Sequence, residues 1–114
     1  MNRIKELVDL CTDAERFRIS MMLNNAAEYV RAVVAMEVVA ARIADFDDED
    51  FKYERESTDR ARSRAHDMFI ASVNTVNDLC DAHSVPRIYT CGEARRSYGD
   101  FAMKLVSDIF SNRN

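Results

Sequence analysis

The chain predicts an all-α fold, an elongated antiparallel helical bundle, and three observations carry that prediction. The run from Thr12 to Phe46 contains no Gly and no Pro, opens on a capping signal, and is apolar around most of its circumference past Asn25. Such a run is a long helix buried on more than one side. Two Gly and one Pro among 114 residues leave few hairpin turns from which to build a sheet. A second long stretch, ending at Pro86, repeats apolar residues at helical spacing. Residues 1–114 show no composition shift, repeat or low-complexity tract, and read as one domain able to bury roughly 65% of its unfolded surface.

The elements follow in order. Ile4, Leu7, Val8 and Leu10 place one apolar stripe on a short N-terminal helix. Thr12-Asp13-Ala14-Glu15 reads as a capping box, the Thr12 hydroxyl accepting from the Glu15 amide while the Glu15 carboxylate reaches back to the Thr12 amide; either the chain breaks here or one helix runs straight through, and the break is the preferred reading. The main helix spans residues 13–46 and at 1.5 Å per residue is about 50 Å long, longer than a compact domain of this size is wide, so the bundle is elongated.

The acidic run Asp45-Phe46-Asp47-Asp48-Glu49-Asp50 is the turn. Its alternating carboxylates resemble a calcium loop, but Asp50 stands where the sharp bend needs Gly, and acidic residues in the first turn of the next helix account for the run without an ion. That helix covers 48–82, with a stripe of Ala61, Ala65, Met68, Phe69, Ser72, Val76, Leu79 and Cys80. Ser57-Thr58-Asp59 is its weakest stretch, because these side chains compete for backbone hydrogen bonds. Pro86 stops it, and Ile88 and Tyr89 in the 84–90 loop tuck against the bundle. Thr90-Cys91-Gly92-Glu93 is a second capping box, opening a last helix at 91–111 that buries Tyr98, Phe101, Ala102, Leu105, Val106 and Ile109. Gly99 within it marks a close helix contact or a kink.

Charge and cysteine content bound the function. A net charge of -4 argues against a general nucleic-acid scaffold, whose footprint is basic. The Val- and Ala-rich segment from Ala26 to Ala44 is interrupted by Glu28, Arg31, Glu37 and Arg42, each costly at mid-bilayer, so no membrane span is expected. The N-terminus alternates charged with apolar residues and leads to no apolar signal core, which places the protein in the cytoplasm. Three widely spaced cysteines make no disulfide framework and are expected to be reduced. Cys80, His83 and Cys91, with Cys11 as a fourth, could hold zinc, but structural zinc sites usually carry two paired ligand clusters and only one pair occurs here. Cys80 also falls on the apolar stripe, so it is read as core, and neither a metal nor any other cofactor is expected.

Two sets of polar residues are the site candidates. Arg60, with five residues between it and His66, resembles the R-x4-6-H motif of the HEPN family, small helical proteins that include RNases. The resemblance covers seven residues, and Ala61 follows the Arg where a polar residue is usual; it implies RNA processing, with His66 in acid–base work and Arg60 on phosphate. The competing account is an exposed, Arg-rich helix face carrying pairs such as Glu56–Arg60, Arg55–Asp59 and Asp59–Arg62. The spacing from Asp59 through Arg62, His66 and Asp67 to Asn77 resembles a family of small bacterial helical proteins grouped as a domain of unknown function, which implies a fold and no activity. On a 100° wheel Glu37 lies among Ile19, Ala26, Val30, Val33, Ala40 and Ala44, inside the apolar face. A carboxylate there must be paired, protonated or wet. A helix pair folding back at 46–50 sets it level with Arg60 and Arg62, and an ion pair fixing register is the favoured role over a general acid or base.

The sequence therefore supports a non-catalytic interaction protein, with an RNA-processing enzyme using Arg60 and His66 as the alternative. Val30, Val33, Val34, Met36, Val38, Val39 and Ile43 cover more of the long helix than one antiparallel neighbour can bury, which predicts a homodimer. Ala32, Ala35 and Ala40 would allow close approach. Its other protein partners, if any, are not legible.

Overall fold

The computed structural model describes residues 2–45, 52–89 and 98–111. Among these, the chain forms α1 (Asn2–Leu10), α2 (Asp13–Asp45), α3 (Lys52–Ala82) and α4 (Tyr98–Ser111), with no strand. The fold is an all-α bundle in which α2 packs chiefly along α3, with α4 lying against α2 and touching α3 less. The molecule measures 54 × 29 × 27 Å with a radius of gyration of 16.5 Å. A compact chain of this length would have a radius near 13 Å, so the bundle is elongated, as the length of α2 requires.

Local sequence accounts for the helix ends. The break between α1 and α2 is held by the Thr12 box: the Thr12 amide donates to Glu15 Oε1 at 2.9 Å and the Glu15 amide to Thr12 Oγ1 at 3.3 Å. Arg16 ties the two helices across the break, donating from Nε to the Val8 carbonyl at 2.9 Å. At the far end of α3 the Val85 amide donates to the Cys80 carbonyl at 2.9 Å and the Ser84 amide to the Asp81 carbonyl at 3.2 Å. Ser84 takes φ 57°. This is a Schellman stop, and Pro86 follows it as expected after a C-cap. The Ser57–Asp59 stretch stays helical, with Thr58 Oγ1 donating to the carbonyls of Glu54 and Arg55 at 2.9 and 3.0 Å. The acidic turn, the second capping box and Cys91 lie outside the described residues, so α4 is described only from Tyr98.

One core runs through the bundle. Ile4 and Leu7 of α1, Ile19, Met22, Ala26 and Tyr29 of α2, Phe69, Val73, Val76, Leu79 and Cys80 of α3, Ile88 and Tyr89 of the loop, and Ala102 and Leu105 of α4 bury into a single cluster. Ile88 and Tyr89 are thus tucked in as the sequence predicts. The stripe on α3 needs correction: Ala61 and Met68 are exposed, while Val73 and Asn77 are buried.

The reason is the packing period. Along α3 covered positions recur at Arg62, His66, Phe69, Val73, Val76, Cys80 and His83, and along α2 at Ile19, Met22, Ala26, Tyr29, Val33 and Met36, beyond which Val39 is buried and Ala40 exposed. As far as Met36 both alternate steps of three and four, a 3.5-residue period, so over that length the two helices pack as an antiparallel coiled-coil-like pair.

Candidate functional site

Glu37 does not lie inside the packed face; it is exposed. A seam of period 3.5 departs from a straight 3.6-residue helix by about 20° per heptad, so over the 18 positions from Ile19 to Glu37 the buried face moves roughly 50° away from the wheel's forecast. Water solvates the carboxylate without a buried partner. The expected register does hold: Tyr29 lies across from His66 and Glu15 across from His83, which brings position 37 level with the Asp59–Arg62 turn. No ion pair joins Glu37 to Arg60 or Arg62 among the described residues. Arg62 instead turns along its own helix to Asp59, Nη2 to Oδ1 at 3.3 Å, and Arg60 is exposed.

His66 sits half-buried on the α3 seam. Its ring meets Tyr29 of α2 edge-on with centroids 5.4 Å apart and Tyr98 of α4 at 5.9 Å, and Nδ1 lies 3.3 Å from Asp67 Oδ1. Around it, Phe69, Tyr89 and Phe101 complete an aromatic cluster, with Tyr89 stacked on Phe101 at 4.4 Å. The imidazole therefore helps join three helices. Arg60 is six positions earlier on the same helix, about 9 Å along the axis and roughly 120° around it.

The cysteine and histidine positions are gathered in a way spacing alone did not indicate. Cys11 at the α1–α2 break, Glu15 in the first turn of α2 and His83 at the end of α3 place one ligand-type atom each within 4.8 Å of one another. His83 Nε2 lies 3.2 and 3.3 Å from the two Glu15 oxygens. The Thr12 amide, then the His83 ring, hold the Glu15 carboxyl below its ordinary range, against the opposing effect of desolvation. Burial, with the Glu15 charge adding to it, pushes the Cys11 thiol up, and burial does the same to Cys80. Both are free and buried thiols. Cys80 lies in the core behind this group and outside the triad.

The remaining feature is an apolar surface. Val34 and Val38 of α2 are 51% and 53% exposed, with Ala35 and Ala41 exposed beside them, and Met103 of α4 is 56% exposed. Between the two helices Tyr29, Val30, Val33, Val34, Gly99 and Met103 line a shallow groove. Gly99 stands on the side of α4 that faces α2, where it lines this groove. The side chain of Ile43 is outside the described set.

No described helix is long and apolar enough to cross a membrane. No match to the chain was found among curated proteins or among solved structures. The family model described as "Protein of unknown function (DUF3232)" matches residues 1–114, the whole of the chain, in keeping with the resemblance carried by Asp59 through Asn77, and the protein belongs to that family.

Proposed function

We propose that this protein is a non-catalytic helical interaction module that self-associates as a two-fold dimer through the outer face of α2 and the adjoining edge of α4. The observation that carries the reading is the apolar stripe Val34, Val38 and Met103, each half or more exposed, with Val34 and Met103 lining the groove between α2 and α4. Contiguous apolar surface of this kind on a soluble protein marks an interface, and a two-fold contact is the commonest closure for identical chains. Ala35 and Ala41 beside the valines let a second helix approach closely. Glu37 lies at the edge of this stripe, level with Arg60, so an intersubunit ion pair between them is part of the proposal. The buried free thiols Cys11 and Cys80 support placing the protein in a reducing, cytoplasmic compartment.

Sedimentation equilibrium tests the dimer. The wild type is expected at twice the monomer mass in the micromolar range, and Val34→Glu with Val38→Glu at the monomer mass with an unchanged helical spectrum. A wild type that stays at the monomer mass throughout would sink the proposal. The RNA-processing alternative needs Arg60 of one subunit beside His66 of another; cleavage of single-stranded RNA, abolished by Arg60→Ala, would favour it instead.

A further inference from the structure

We infer that Cys11, Glu15 and His83 form a three-ligand transition-metal site, of zinc type, that fastens the α1–α2 break to the C-terminal end of α3. Cys11 and Glu15 come from one short stretch at the α1–α2 break and His83 from 68 positions further on, and together they offer sulfur, oxygen and nitrogen donors, the set that zinc prefers. Bond lengths near 2.0–2.2 Å to nitrogen and oxygen put two such ligands about 3.4 Å apart on a tetrahedral ion. The separation from His83 Nε2 to the Glu15 oxygens, 3.2–3.3 Å, already has that value. The thiol is within 4.8 Å of both partners, so a side-chain adjustment brings it to bonding distance.

Charge balance favours the ion. A thiolate, a carboxylate and a neutral imidazole around a divalent cation sum to zero, so the bound site carries no net charge into its half-buried surroundings. On binding, the Cys11 S–H bond breaks, its proton leaves to solvent, and the sulfur lone pair forms the metal bond; no oxidant or reductant enters.

Helix ends hold the ligands in place. Cys11 is fixed by its amide donating to the Val8 carbonyl at 3.2 Å, and His83 by its amide on the Leu79 carbonyl at 3.0 Å. Glu15 keeps one oxygen on the Thr12 amide at 2.9 Å and has the other to offer. Three protein ligands leave a fourth position for water or a small anion, the arrangement of exchangeable zinc sites. The array weighed from spacing, Cys80, His83 and Cys91 with Cys11 as a fourth, shares Cys11 and His83 with this one and differs in having Cys80 and Cys91 where this set has Glu15.

The test is titration of the reduced, full-length protein with zinc(II) and with cobalt(II) alone. We expect one ion per chain, a thiolate-to-cobalt charge-transfer band with tetrahedral visible bands, and a higher melting temperature on zinc addition. Cys11→Ser should remove the charge-transfer band. Glu15→Gln, which preserves the capping box, and His83→Gln should each lower affinity by more than about 100-fold, beyond what loss of a supporting group does. Cys91→Ser should bind as the wild type does. Absence of binding by the folded wild type, a charge-transfer band surviving Cys11→Ser, or a site abolished by Cys91→Ser would each overturn the assignment. None of these readouts depends on whether the chain dimerises.

Discussion

Asn77 is the residue on which the loop after α3 depends. It is a buried polar side chain in an apolar stripe, and both ends of its amide are used: Nδ2 donates to the Tyr89 carbonyl at 2.9 Å and Oδ1 accepts from the Ile88 amide at 3.0 Å. The clamp satisfies two buried backbone groups that no helix or strand would serve, and it seats Ile88 and Tyr89 in the core. Asn77→Ala removes both hydrogen bonds and is expected to lower stability by about 2–3 kcal/mol, read by urea denaturation. Glu15 makes a second residue-scale prediction. Its folded-state pKa is lowered, so its contribution is fully present above the unfolded value, near 4.3, and is lost as pH falls through the folded one. The stability advantage of wild type over Glu15→Gln should therefore shrink as pH falls below the unfolded value; an advantage that stays constant through that fall would contradict a lowered Glu15 pKa.

At the scale of the elements, the α1–α2 break and the C-terminal end of α3 each have a specific start or stop, and the least comfortable residue among them is Ser84. A serine in the left-handed region at the C′ position of α3 carries the steric penalty that glycine avoids. Ser84→Gly is expected to raise stability by about 0.5–1 kcal/mol, after allowing for the greater freedom of glycine in the unfolded chain. A loss of stability would mean that the serine hydroxyl contributes more than the backbone costs. Asp81 stands one turn earlier and takes the Arg87 guanidinium in a two-pronged contact, Nε to Oδ1 at 3.0 Å and Nη2 to Oδ2 at 2.6 Å. That contact holds the Asp81 carboxyl below its ordinary range and braces the loop against the helix it has just left.

For the whole molecule, one contiguous core drawn from all four described helices and the loop predicts a single cooperative unfolding transition. Phe69 is fully buried where α2, α3 and α4 meet, against Tyr29, Tyr98 and Phe101. Phe69→Ala should lower stability by about 3–5 kcal/mol while circular dichroism and tyrosine fluorescence still report coincident transitions. Transitions that separate would show that α4 undocks on its own.

The all-α class, the break at Cys11–Thr12, the end of α3 at Ala82 and the tucking of Ile88 and Tyr89 were legible because local chemistry decides them. Capping boxes, a proline stop and apolar periodicity act within a few residues. The exposure of Glu37 was not legible, since it depends on the 3.5-residue period that two long helices adopt when they wrap around each other, an effect that accumulates over several turns. Asn77 left a faint signal, a polar residue between Val73, Val76 and Cys80, yet its partners lie across a loop and are backbone atoms that carry no sequence signature. His66 was legible as a titratable residue, but its place between Tyr29 and Tyr98 required the docking of α4. The arrival of His83 beside Cys11 and Glu15 belongs to tertiary structure: the antiparallel register of α2 and α3 carries His83 back to the first turn of α2, across 68 positions of chain that no local pattern spans.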